Sequence, residues 1–232
     1  MSPFSDSLAV SRYAEGPSRL VPGFADMHRM TLLLLAERTP AIGRVLVLGA
    51  GGGLELKAFA ESQPSWQFDG IDPSAEMLRL AQATLGTLMS QVRLHEGYID
   101  TAPAGPFDAA TCLLTFHFLS LEERRRTLHQ ILQRLKPGAP LIVAHHSFPQ
   151  GDEERMQWLS RYANFAVSSG VERTQAEKAI AAINAQLPVL SPQQDEALLR
   201  EAGFCDVSLF YAGFTFRGWV GYKAEINGSS EI

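Results

Sequence analysis

Gly49, Gly51 and Gly53 alternate after the apolar run Val45–Leu48, and an acid, Asp72, ends the next apolar run, Gln67–Ile71. Glycines between a strand and a helix leave backbone N–H groups free and let a ligand approach the main chain closely. A carboxylate about 20 residues further on, at the carboxyl end of the next strand, can accept both ribose hydroxyls as hydrogen bonds. Each feature also has a plainer reading. A tight turn needs glycine anyway, and Asp72-Pro73-Ser74 can cap the helix Ala75–Leu85. Together they point to a nucleoside cofactor.

Three histidines fall on one expected rim. His117 follows the fourth strand, and His145 and His146 end the fifth; His28 lies on an N-terminal helix behind a Pro-Gly turn. Any of them can serve as a base or a hydrogen-bonding group, and any can be packing alone. His117 and His146 are the catalytic candidates. His145-His146 also raises a metal, but adjacent strand residues point to opposite faces. No Cys or carboxylate cluster joins them, so no metal site is expected. Trp158, Tyr162 and Phe165 are either an apolar substrate wall or the small core of their own helix.

The elements that must position these groups alternate. Phe24–Arg38 reads as a helix with Met27, Met30, Leu33, Leu34 and Leu35 on one side. Strands follow at Val45–Leu48, Gln67–Ile71, Gln91–Glu96, Phe107–Leu114 and Ala139–His145. Helices intervene at Leu54–Ser62, Ala75–Leu85 and Leu121–Leu135, the last opened by a Ser120/Glu123 capping box and stopped by Lys136-Pro137-Gly138. Strand–helix alternation implies a parallel sheet with right-handed crossovers. Residues 149–192 break the pattern with two polar helices, Glu153–Ser168 and Glu172–Ala185, expected to cap the sheet's carboxyl edge. The helix Pro192–Ala202 and the strands Phe204–Tyr211 and Thr215–Lys223 close the chain. The link Ala212–Phe214 is too short for a parallel crossover, so the last strand is antiparallel. The fold class is α/β, a Rossmann-like, seven-stranded mixed sheet with helices on both faces and a helical cap insertion.

The chain has 232 residues, 46% of them hydrophobic, enough for one large domain. It divides into an N-terminal helical lid (1–40), a cofactor-binding core (41–148), the cap (149–192) and the closing helix and hairpin (193–225); Met1–Pro17 reads as loose. A net charge of −5 argues against a nucleic-acid-coating surface. Arg124-Arg125-Arg126 after Glu122-Glu123 reads as a solvated, locally paired helix face. Cys112 and Cys205 read as buried free thiols, which fits a reducing cytoplasm. No apolar run spans a membrane and no signal peptide is evident. The partner expected is a small-molecule substrate, with neither nucleic acid nor membrane; a homodimer stays open.

Leu46-Val47-Leu48-Gly49-Ala50-Gly51-Gly52-Gly53, Gly70-Ile71-Asp72-Pro73-Ser74, Lys136-Pro137-Gly138 and the hairpin after Ala202-Gly203-Phe204 resemble a class I S-adenosylmethionine-dependent methyltransferase. The resemblance covers about residues 20–225. It implies S-adenosyl-L-methionine as cofactor, a methyl acceptor of small size, and cofactor contacts at Phe24, Gly49, Ala50, Gly51, Gly53, Asp72, Pro73, Met77, Gly97, Tyr98, Ile99 and Leu113. The glycines would pack on the methionine part, Asp72 would bind the ribose, and Met77 with Gly97–Ile99 would flank the adenine. Leu113 and Leu114 would lie near the sulfonium, and His117 would face the methyl. Val47 and Tyr98 stand where many relatives carry acids.

Val21-Pro22-Gly23-Phe24, Thr115-Phe116-His117-Phe118-Leu119 and the polar insertion resemble the carboxy-S-adenosylmethionine synthase branch more closely. That branch implies a Tyr at Phe24, an Asn at Leu113 and, on a gap-free reading from Gly170, an Arg at Ile180 that pairs with the extra carboxylate of its cofactor. With these polar groups absent, an unpaired buried carboxylate would cost several kcal/mol. The expected activity is therefore ordinary methyl transfer. The alternatives are a synthase-like enzyme of tRNA modification and a non-catalytic cofactor-binding protein.

Overall fold

The computed structural model describes residues 16–225. The loose start expected over Met1–Pro17 lies outside the described residues except for Gly16 and Pro17, which open a short helix α1 (Gly16–Leu20). Helix α2 (Phe24–Ala36) follows Gly23, whose φ of 64° suits the Pro-Gly turn. Met27, Thr31 and Leu35 face inward, whereas Leu33 is 60% exposed, against the expected apolar side. Four successive leucine positions sweep around a helix, so one of them must face solvent.

Strands β1 (Arg44–Leu48), β2 (Gln67–Asp72), β3 (Val92–Glu96), β4 (Ala109–Leu113) and β5 (Pro140–His146) are mutually parallel where they pair. Helices α3 (Leu54–Ser62), α4 (Ala75–Leu85) and α5 (Leu121–Arg134) alternate with them. After β5 come α6 (Asp152–Ser168), α7 (Arg173–Gln186) and α8 (Pro192–Glu201), then β6 (Phe204–Gly213) and β7 (Phe216–Lys223). The sheet order is β3-β2-β1-β4-β5-β7-β6, and β7 alone runs antiparallel to its neighbours. The hairpin link is shorter than the sequence suggests: Ala212 and Gly213 pair with Arg217 and Phe216, leaving Phe214 and Thr215 at the turn.

Alternation along the central strands feeds two cores, one per face. Val45 and Val47 of β1, with Ile142 and Ala144 of β5, join one cluster with α2, α3 and α6. Leu46, Leu48, Leu141 and Val143 join the other with α5 and α8. The capping box at Ser120 is present, and an equivalent one at Ser191 opens α8.

The arginine run is not a uniform solvated face. Arg125 and Arg126 are exposed, but Arg124 is 1% exposed and bonds Asp195 at 2.6 Å. It also donates to Pro188 O at 2.8 Å and Leu119 O at 3.1 Å. Its direction on α5 turns it under α8, where burial demands these partners. Cys112 is buried as expected; Cys205 is only half-buried, on the outermost strand.

Candidate functional site

A cleft of about 390 Å³ opens at the carboxyl ends of β1, β2 and β4. The turn after β1 is anchored on β2, because Gly49 and Ala50 donate to Ile71 O at 2.8 and 2.9 Å. Gly49 (φ 77°) is forced: a Cβ there would lie 1.9 Å from Thr115 Oγ1, so the turn and the segment after β4 meet at van der Waals contact.

Asp72 is bonded through both oxygens. Oδ2 accepts the Gly51 N–H and Oδ1 the Ser74 N–H, each at 2.9 Å. Burial pushes its carboxyl up, and those two N–H groups pull it back. The helix cap is a different residue: Ser74 Oγ accepts the Met77 N–H at 3.2 Å. The acid is thus left facing the cleft at the ends of β1 and β2.

Of the residues named from sequence, Gly49, Gly51, Asp72, Pro73, Met77, Gly97, Tyr98, Ile99 and Leu113 line the cleft. Phe24, Ala50 and Gly53 do not. Phe24 instead tilts against His28 with ring centroids 4.3 Å apart. Ala50 is buried beneath the turn, and Gly53 begins α3 where a Cβ would press on Ala81. Thr115, Phe118, Leu119, Glu123 and Thr127 also line the cleft, unforeseen. The Ser120/Glu123 capping box foretold the start of α5; that its first turns reach the cleft depends on where α5 docks. No Lys or Arg lines the cleft among the described residues.

Leu114 leaves β4 with φ 56° while its N–H bonds Ala144 O at 2.6 Å. A left-handed leucine is strained, and the strain falls at the cleft floor. Behind it, Glu55 is fully buried in α3 and accepts a short hydrogen bond from Thr111 Oγ1. Burial pushes its carboxyl up to about 8, so near neutrality it holds a proton.

His117 and His146 sit side by side, ring centroids 4.8 Å apart, outside the residues that line the cleft. His117 Nδ1 accepts the His146 backbone N–H at 3.3 Å. His146 Nδ1 lies 2.9 Å from Thr215 Oγ1, and its ring stacks on Phe216 at 4.0 Å and meets Tyr162 edge-on at 5.4 Å. Burial pushes His146 down to about 3 and His117 well below its ordinary range, so both rings are neutral. His145 points to the other face, its Nε2 3.2 Å from Asp195 Oδ1. Among the described residues no group of His, Cys, Asp or Glu is placed to hold a metal ion.

A seven-stranded sheet of this order, a glycine turn tied to the acid of β2 and a cleft across them are the arrangement of the Rossmann-like fold of class I S-adenosylmethionine-dependent methyltransferases. Residues 46–141 match the family model described as a methyltransferase domain. An O-methyltransferase family protein from Burkholderia thailandensis superposes with a TM-score of 0.66 at 15% identity, over 97% of this chain and 63% of that one. Two carboxy-S-adenosyl-L-methionine synthases are similar over nearly the whole chain. The one from Chromohalobacter salexigens is 29% identical over 94% of this chain and 82% of its own length. The one from Campylobacter fetus is 22% identical over 94% and 93%. The chain is thus similar to methyltransferase-domain proteins and, over nearly its whole length, to carboxy-S-adenosyl-L-methionine synthases, likenesses that support a methyltransferase-class enzyme using S-adenosylmethionine.

Proposed function

We propose that the enzyme transfers a methyl group from S-adenosylmethionine to a small-molecule acceptor. The observation that carries this reading is the charge of the cleft: Asp72 and Glu123 line it, and no Lys or Arg does among the described residues. A cationic sulfonium is favoured there. Asp72 binds the ribose, the Gly49–Gly53 turn and Leu113 hold the methionine end, and Met77 with Gly97, Tyr98 and Ile99 flanks the adenine. Transfer is an in-line displacement, so positioning supplies most of what the protein must add. Residues 149–192 act as a cap, and the described part of the N-terminal segment, residues 16–40, as a lid.

The likeness to carboxy-S-adenosyl-L-methionine synthases favours a second reading, synthase activity. Against it, Phe24 packs on His28, Ile180 packs against the core, and Arg173 and Lys178 of α7 are exposed. No described helix is long and apolar enough to cross a membrane. With an acidic net charge, this supports a cytoplasmic enzyme acting on a small molecule rather than on nucleic acid, and a homodimer is compatible with it. The test is incubation with methyl-labelled S-adenosylmethionine and a broad acceptor panel. Label in at least one acceptor supports the reading; cofactor binding without turnover on any acceptor points to a regulator instead.

A further inference from the structure

Three polar side chains converge beneath α6 and are each at least nine-tenths buried: His117 is 5% exposed, His146 5% and Tyr162 4%. Their outer atoms, Nε2 of both rings and Oη of Tyr162, have no hydrogen-bond partner among the described residues. None of the three is sealed from its surroundings, so each can hydrogen-bond a bound molecule. It adjoins the cleft. Phe118, which lines the cleft, is the next residue after His117, and the two rings lie 4.3 Å apart.

The chemistry of that ligand follows from the donors. A backbone N–H can only donate, so the His146 N–H fixes His117 with an unprotonated Nδ1 and a protonated Nε2. His117 Nε2 is therefore a fixed donor. Tyr162 keeps its proton, since burial pushes its hydroxyl up to about 12, and it can donate too. The carboxylate near this histidine group, Asp195, pairs with Arg124 and faces His145 on the opposite side of β5. Among the described residues an ammonium would find no counter-charge here, whereas an oxygen anion would find at least two N–H or O–H donors. Phe216 and the ring of His146, stacked at 4.0 Å, make the wall flat and aromatic.

We propose that His117, Tyr162 and His146 form the acceptor-recognition pocket, and that the acceptor is an aromatic compound bearing an oxyanion, a phenolate or a carboxylate. His117 is then a hydrogen-bond donor that holds the acceptor, not the base that deprotonates it. This rests on the methyl-transfer reading above.

The test loads the protein with S-adenosylhomocysteine and titrates it with 4-nitrophenolate, with nitrobenzene and 4-nitroaniline as controls. The phenolate should bind saturably, with a shift of its absorption band, and about tenfold or more tighter than either control. His117→Phe and Tyr162→Phe should each weaken it about tenfold, and His117→Gln, which keeps a donor, should restore most of the loss. S-adenosylhomocysteine binding should stay unchanged in all three. Long-range proton–nitrogen spectra of the wild type should show His117 protonated at Nε2. Equal binding of phenolate and nitrobenzene, indifference to the substitutions, or the opposite His117 tautomer overturns the proposal. Failure of the wild type to bind S-adenosylhomocysteine overturns the cofactor reading, and this proposal with it.

Discussion

Asp72 Oδ2 accepts the Gly51 N–H at 2.9 Å, so the acid that ends β2 and the turn that follows β1 form one unit. The ribose-binding candidate also braces the loop on which the methionine end would rest. Asp72→Ala should weaken S-adenosylhomocysteine binding by about 1–3 kcal/mol, the usual loss of a charged acceptor in a buried site. Calorimetry reads this directly. Unchanged affinity in a folded variant would reduce Asp72 to a turn residue.

Gly49→Ala should destabilise the fold by about 3 kcal/mol or more, since the new Cβ would sit 1.9 Å from Thr115 Oγ1 at a φ of 77°. Adding Thr115→Ala should recover part of the loss and leave the cost of the left-handed backbone. Urea denaturation of the two variants separates the steric part from the backbone part. Full rescue by the second substitution would show that the positive φ costs nothing.

Arg124→Ala should cost about 3–5 kcal/mol, because it strands Asp195 in a buried site. Replacing both members by apolar residues, Arg124→Met with Asp195→Leu, should cost far less. Denaturant midpoints of the single and double variants decide between an obligatory ion pair and a replaceable one.

Glu55 makes stability fall as pH rises. Its folded-state value is raised from 4.5 to about 8, so the proton it holds favours the folded protein at low pH, and that contribution is lost as pH climbs toward 8. Glu55→Gln should therefore gain on the wild type as pH is raised through this window. His28 and His146 act in the opposite sense. Burial lowers them from 6.5 to about 4 and about 3, so their contribution is present above 6.5 and is lost as pH falls through those values. Thermal melts of wild type and Glu55→Gln across the range test the sign; parallel curves would contradict a buried, protonated Glu55.

The enzyme should not carboxylate its cofactor. Incubation with S-adenosylmethionine and prephenate should give no carboxy-S-adenosylmethionine by mass spectrometry. Turnover at an enzymatic rate would reverse this expectation and make Arg173 and Lys178 the first residues to replace.

The sequence by itself determined the elements and their order. Apolar runs of strand length, the Ser120/Glu123 capping box and the Lys136-Pro137-Gly138 stop act within a few residues, where pattern and propensity decide the outcome. The pairing of glycine turn and acid was legible for the same reason, because a βαβ unit fixes where both must lie. Only the tertiary structure decided which face each side chain meets. Arg124 looks like its exposed neighbours until α8 lies over it, and its partner is 71 residues away. Thr115 and Thr127 reach the cleft through the seating of β4 and α5 beside β1. His117 has its Nδ1 taken up as an acceptor because the chain of β5, 29 residues on, sets an N–H against it. Contacts at such separations depend on sheet order and helix docking, which no local pattern encodes.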